Sequence, residues 1–145
     1  MITETSVYIE RKFECAIDEL FQWLVNPELV AKWFGPKQFS VTNVTNDLKI
    51  GGAFEIELTK YPDKVLVISG NYLEIEMPRK LVFTFHYGGF NNPPPDSVVT
   101  MLLEKISAES TQLFLEQKFA VAPTDLEQRD QAWRYMFSKL AQLLS

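Results

Sequence analysis

The C-terminal segment, residues 124–144, carries the pattern that most restricts how this chain can fold. Its apolar residues recur at steps of three and four, which is the spacing of one face of an α-helix. We expect Thr124 to cap this helix and Glu127 to bond back to the amide of the cap. Because such a face must be buried, the helix needs a partner surface. The apolar positions are Leu126, Trp133, Met136, Phe137, Leu140 and Leu144, and the polar positions, which fall largely elsewhere, include Arg129, Arg134 and Lys139.

Most of the preceding chain alternates between apolar and polar residues, which is typical of strands with one buried face. A switch to helical spacing after the first strand predicts a short helix from Ile17 to Leu24. A second short helix is expected after Asn26 as its cap, with Pro27 at its first position and Gly35 at its end. The predicted strands cover residues 5–13, 39–44, 53–58, 65–76, 81–87, 98–106 and 111–119. The sequence therefore predicts an α+β fold in which an antiparallel sheet of about six to seven strands grips the last helix.

Length and composition indicate a single soluble domain spanning residues 1–145. The 145 residues are 46% hydrophobic and 23% charged, which is ordinary for a globular protein. A formal charge of −5 without clustered Lys or Arg argues against a nucleic-acid partner. No apolar run is long enough for a membrane span, and the first residues do not form a signal peptide, so we expect a cytoplasmic location. The single cysteine, Cys15, cannot form an internal disulfide and is expected to be a buried thiol.

One face of the predicted sheet is apolar and aromatic, and this face suggests a binding site. A strongly twisted sheet cannot contact one helix along its whole length, so a gap between them is expected. Such a gap would hold a small, largely apolar ligand such as a lipid. The candidate ligand-binding residues are Trp33, Phe54, Ile56, Phe83, Phe85, Tyr87, Val99, Met101, Leu103, Leu115, Gln117, Trp133 and Phe137.

Residues along nearly the whole chain resemble the family of homologues of the activator of heat-shock chaperone ATPase. The resemblance rests on Pro27, Leu29, Trp33, Phe34, Gly35 and Pro36, then Asp47, Gly51, Gly52, Ala53 and Phe54, then Gly70, Tyr72, Glu74, Ile75, Pro78, Leu81, Val82, Phe83, Thr84 and Phe85, and finally Trp133, Phe137 and Leu140. It implies the helix-grip fold of the START-like, or SRPBCC, superfamily, in which apolar ligands are commonly held between helix and sheet. The chain departs from the family pattern at Phe85, Gln117 and Ala132, where relatives often have Trp, His and Gly.

The sequence contains no evident catalytic machinery, and we expect no catalytic residue, metal or other cofactor. His86 is the sole histidine and is predicted to face outward, so a histidine-based metal cluster cannot form. No nucleophile with an adjacent base, phosphate loop or dinucleotide motif is present. The paired glutamates all fall on the strand side opposite the apolar residues, where a solvated role is expected; they are Glu55 and Glu57, Glu74 and Glu76, and Glu104 and Glu116.

Three functions remain open at this point. The first is binding of a small apolar ligand by a carrier or sensor. The second is an enzyme of the cyclase or dehydratase kind that uses Tyr87, Gln117 and Asn71 in the same gap. The third is a co-chaperone-like interaction module, which ranks last because chaperone activation in the family belongs to chains with an additional N-terminal domain. A homodimer could form through residues 65–68 or through an exposed patch of Leu102 and Phe114.

Overall fold

The computed structural model describes residues 5–144 and confirms the predicted α+β architecture. Two short helices follow the first strand, and a long helix closes the chain. The elements are β1 (Ser6–Phe13), α1 (Ile17–Val25), α2 (Pro27–Trp33), β2 (Ser40–Asn46), β3 (Ala53–Lys60), β4 (Lys64–Glu76), β5 (Lys80–Gly88), β6 (Ser97–Ser107), β7 (Ser110–Phe119) and α3 (Leu126–Leu143).

All seven strands form one antiparallel sheet in the order β1-β7-β6-β5-β4-β3-β2. Strands that follow each other from β2 to β7 are neighbours, and β1 joins the far edge by pairing with β7. In that pair Val7 lies opposite Gln117, and Ile9 lies opposite Leu115. Register shifts in the β2–β3, β4–β5 and β6–β7 pairs increase the local twist. The sheet therefore curves around α3 as a helix-grip.

The core lies between the concave face of the sheet and the apolar face of α3. Trp133, Met136, Phe137 and Leu140 of α3 are buried. Phe137 is 0% exposed, and its ring packs edge to face on Phe13 with the centroids 5.7 Å apart. The alternation of buried and exposed residues seen in the sequence is thus the inward and outward alternation of this sheet.

Helix α2 begins as predicted, but α3 does not. Asn26 caps α2, because its Oδ1 accepts a hydrogen bond from the amide of Glu28 at 3.0 Å. The predicted cap at Thr124 is wrong, since α3 starts at Leu126 with Asp125 at the cap position and no side-chain cap bond. The Asp125 carboxylate instead lies 3.4 Å from Nε of Arg129. An ion pair one turn along the helix therefore takes the place of the predicted capping box.

The outer face of the sheet is mostly polar, with a small apolar patch at Leu102 and Phe114. Leu102 of β6 is 43% exposed and lies opposite Phe114 of β7, as the alternation predicts. Residues 65–68 do not form a continuous patch, because Leu66 and Ile68 point into the core while Val65 is exposed. Within residues 5–144, no helix has the length and hydropathy needed to cross a bilayer.

Candidate ligand-binding site

The sheet and α3 enclose a cavity of about 300 Å³ beside the first half of the helix. Its floor comes from β3, β4 and β5, its roof from α3, and its rim from the segments that follow α2 and β5. Most of the lining is aromatic or aliphatic. The lining residues are Phe34, Pro36, Phe39, Leu58, Lys64, Leu66, Ile68, Phe85, Tyr87, Phe90, Asn91, Arg129, Ala132, Trp133 and Met136.

A second cavity of about 50 Å³ lies between α2, the strands β2 to β6 and α3. Because one water occupies about 30 Å³, this space holds only one or two waters. Its lining is Leu24, Val25, Val30, Trp33, Phe34, Val44, Thr45, Asn46, Phe54, Ile56, Tyr72, Leu81, Phe83, Phe85, Met101 and Trp133. The small cavity therefore has little room for a ligand, whereas the large one has the size of a small-molecule site.

Three aromatic rings line both cavities and separate one from the other. We call Phe34, Phe85 and Trp133 the aromatic wall. The ring of Phe85 lies 5.6 Å from Trp133, and Phe34 lies 6.4 Å from Phe85 and 6.3 Å from Trp133. These separations are typical of favourable ring packing. The wall joins α2, β5 and α3, since Phe34 directly follows α2, Phe85 lies within β5 and Trp133 lies within α3.

The chain segment after α2 forms one side of the large cavity and is fastened to α3. Gly35 has φ +113, a conformation that residues with a Cβ rarely adopt. This turn lets the Gly35 amide donate to Sδ of Met136 at 3.1 Å, while Nζ of Lys139 donates to the Gly35 carbonyl at 3.1 Å. Partial burial lowers the pKa of Lys139. Lys139 therefore fixes the rim of the cavity, although the sequence pattern placed it with the solvated residues.

A buried hydrogen-bond network supports the cavity from behind. Gln117 is 0% exposed, and its Nε2 donates to Oη of Tyr87 at 2.8 Å and to Oγ of Ser97 at 3.0 Å. Its Oε1 accepts from Nε1 of Trp133 at 2.8 Å. The Ser97 hydroxyl in turn donates to the Phe85 carbonyl at 3.2 Å. The glutamine thus fixes two lining side chains, Tyr87 and Trp133, without lining the cavity itself.

Tyr87 is the polar group that this network presents to the cavity. Burial raises the pKa of its phenol, and the Gln117 hydrogen bond and the nearby Arg129 charge act in the opposite direction. Arg129 lies over the rings of Tyr87 and Phe90, at 5.4 Å and 5.8 Å from their centroids. At neutral pH the phenol is therefore neutral, and the cation beside it is the arginine.

The predicted site residues fall into four groups in the structure. Tyr87 lines the large cavity alone, and Phe85 and Trp133 line both. Trp33, Phe54, Ile56, Phe83 and Met101 line only the small cavity. The structure places the others outside both linings, in the packed core or behind the network: Val99, Leu103, Leu115, Gln117 and Phe137.

Sequence reasoning missed most of the large cavity. Phe90 and Asn91 lie in a connecting segment whose position no periodicity describes. Phe39 was predicted to begin a strand, and in the structure it directly precedes β2. The loop after β5 reaches the end of the cavity through Phe90 and Asn91. Arg129 could have been found, because it precedes Trp133 by four residues and Met136 by seven and so shares their face of α3.

The groups that catalysis would need do not converge on either cavity. His86 faces outward, and its Nδ1 lies 2.6 Å from Oδ1 of the exposed Asp96. Asn71 is exposed and donates to the Gly51 carbonyl at 3.3 Å. Among the described residues, no three His, Cys, Asp or Glu side chains lie close enough to hold a metal ion. Cys15 is buried, and burial raises the pKa of its thiol to about 11.

Sequence comparison assigns the family. Residues 14–145 match the family described as Activator of Hsp90 ATPase homolog 1-like protein. The chain belongs to this AHSA1-like family. Among functionally curated proteins, none matches the chain significantly.

Solved structures of several bacterial proteins share the fold of this AHSA1-like domain. A protein from Chromobacterium violaceum is 21% identical with a TM-score of 0.84, over 97% of each chain. An AHSA1 protein from Silicibacter pomeroyi is 20% identical with a TM-score of 0.80, over 96% of each chain. CalU16 from Micromonospora echinospora is 24% identical with a TM-score of 0.72, over 97% of this chain and 76% of that one. At these identities the likeness establishes the helix-grip fold of the AHSA1-like domain.

Proposed function

We propose that this AHSA1-like domain binds a small, largely apolar molecule in the larger cavity. The observation that carries the proposal is the space of about 300 Å³ between α3 and the sheet, lined mainly by aromatic and aliphatic side chains with few polar groups. Ligand sites in proteins combine these properties, and their volumes range from about 300 to 1,000 Å³. The family assignment supports the proposal, since the fold is consistent with a ligand cavity.

The volume restricts the size of the molecule. At about 30 Å³ for each water-sized unit, the cavity accommodates roughly ten non-hydrogen atoms. Enclosing about 250 Å² of apolar ligand surface would contribute on the order of 6 kcal/mol, at roughly 25 cal/mol per Å². Association offsets part of this gain. At roughly 0.3 to 0.5 kcal/mol for each of about ten non-hydrogen atoms, the net is about 3 to 5 kcal/mol, so we expect dissociation constants from the high micromolar to the low millimolar range for a simple aliphatic ligand.

Titration with 1-octanol, which has the expected size and no charge, tests the proposal. The Trp133 indole N–H is a reporter inside the site, so its NMR signal should shift and saturate as 1-octanol is added. Ala132 lies in the lining, and Ala132→Leu should strongly weaken this shift, because its three added carbon atoms take up about a third of the space. Because filling a cavity commonly raises stability by about 0.5 to 2 kcal/mol, the variant is expected to remain folded.

The matched control is Gln131→Leu, which adds the same side chain at the neighbouring, exposed position of α3. This variant should bind 1-octanol as the original protein does. A Trp133 signal that does not respond to 1-octanol, or responds equally in the Ala132→Leu variant, would refute binding in this cavity. Native mass spectrometry of gently purified protein then tests for a natural ligand, as an adduct that disappears on denaturation and is absent from Ala132→Leu.

Other expectations from the sequence stay predictions. An enzyme of the cyclase or dehydratase kind would lose turnover but keep binding in Tyr87→Phe. Self-association through the Leu102 and Phe114 patch predicts a dimer mass in light scattering. Chaperone activation predicts a faster chaperone ATPase on addition of the domain. The cytoplasmic location is tested by cell fractionation.

A further inference from the structure

The charged residues of the large cavity all have the same sign. Arg129 and Lys64 line it, whereas among the residues that the structure describes its lining contains neither aspartate nor glutamate. This distribution contrasts with the chain as a whole, whose formal charge is −5. Apolar walls around a positive group strengthen its electrostatic field, because little water is present to screen it. Both charged groups that line the cavity are thus cations, and the Asp125 carboxylate that pairs with Arg129 lies outside the lining.

Arg129 is held in a position from which it can contact a bound molecule. Its side chain is only 16% exposed, and the guanidinium is supported by the rings of Tyr87 and Phe90, which also line the cavity. Nε is buried and makes no hydrogen bond, although Oδ2 of Asp125 lies 3.4 Å away. A guanidinium has five N–H donors, so the distant carboxylate of Asp125 and the phenol oxygen of Tyr87 leave donor capacity for a ligand.

We propose that the ligand carries a carboxylate, which Arg129 binds at the Tyr87 end of the cavity while the apolar part extends toward the aromatic wall. This inference rests on the proposed function and specifies the ligand as an apolar monocarboxylate. Arginine suits this task because its planar fork matches a carboxylate with two parallel hydrogen bonds. The neutral phenol of Tyr87, adjacent to Arg129, supplies a further hydrogen-bonding group at the same end.

Octanoate and 1-octanol are suitable probes, because they share an aliphatic chain of the same length and differ in charge. Both are titrated against the Trp133 indole signal by NMR at constant ionic strength. We expect octanoate to bind at least tenfold more tightly than 1-octanol. In Arg129→Met, which keeps an apolar stem, octanoate should lose at least tenfold in affinity, whereas 1-octanol should change less than twofold. Arg129→Lys keeps the charge but not the planar guanidinium, so its octanoate affinity should lie between those of the original protein and Arg129→Met.

Arg134→Met is the matched control, because Arg134 also pairs with an aspartate four residues earlier on α3 but does not line the cavity. It should bind both probes as the original protein does. The inference is overturned if 1-octanol binds as tightly as octanoate, if Arg129→Met weakens both probes equally, or if Arg134→Met weakens octanoate as much as Arg129→Met. In each of these cases binding of 1-octanol still supports the proposed function. If neither probe shifts Trp133 in the original protein, the proposed function fails and this inference with it.

Discussion

Replacing Gln117 with methionine should destabilise the domain through the loss of its buried network. The substitution keeps the length of the side chain but removes one acceptor and two donated hydrogen bonds. Trp133 is affected most, because its buried indole N–H is left without the acceptor that it now has at 2.8 Å. The Ser97 hydroxyl still donates to the Phe85 carbonyl, so it loses only part of its bonding.

The expected loss is about 2 kcal/mol in the free energy of unfolding. An unpartnered buried donor costs roughly 1 to 3 kcal/mol, and the partly satisfied hydroxyls add less. For a domain of this length the melting temperature should fall by about 4 to 8 °C. Urea unfolding followed by circular dichroism measures the free energy, and the NMR signal of the Trp133 indole N–H reports its altered bonding directly.

Gln112→Met is the control, because Gln112 lies on the same strand but is only half-buried and belongs to the outer face. This change should stay within about 0.5 kcal/mol. A double-mutant cycle with Trp133→Phe isolates the bond between the two side chains, and we expect a coupling of about 1 kcal/mol. If Gln117→Met costs no more than Gln112→Met, or if the coupling vanishes, the network does not stabilise the domain and the reasoning is refuted.

Two further predictions concern the core. Phe137→Ala should lower the free energy of unfolding by about 3 to 5 kcal/mol in urea titrations, because Phe137 is fully buried. The affinity for 1-octanol should stay within threefold, because Phe137 lines neither cavity. Loss of affinity without loss of stability would contradict this. Burial raises the pKa of Tyr72 to about 12, so the folded state favours the neutral phenol. The resulting contribution to the free energy of unfolding is complete below pH ~10 and is lost as the pH rises through 12. Tyr72→Phe should reduce the alkaline loss measured by urea unfolding from pH 9 to 12; an identical decline in both proteins would count against it.

The elements of the fold were predictable because one-sided burial imposes a period of two on strands and of 3.6 on helices. Each of the seven strands lies within two residues of its predicted bounds. The start of α3 could not be predicted correctly, because Thr124 and Glu127 match the local pattern of a capping box that does not form. The ion pair between Asp125 and Arg129 competes with that pattern, and its contribution depends on the burial of Arg129 by residues from β5 and the following loop.

The site was predictable only in part. Alternation shows that Phe83 and Leu115 point inward, but not whether the space in front of them is filled. That depends on the curvature of the sheet and on the volumes of residues distant in sequence. Phe137 packs on Phe13 and fills the core, whereas Tyr87 faces the large cavity. Local periodicity carries no information on this difference.

The aromatic wall sets a maximum length for any molecule that enters beside Arg129. A straight chain anchored at that end reaches the rings of Phe34, Phe85 and Trp133 and can go no further, while the small cavity behind them stays out of reach. The three rings would therefore limit the length of a ligand bound there. A smaller side chain at any of these positions would join the two spaces and admit longer molecules, with the sheet and the helix unchanged.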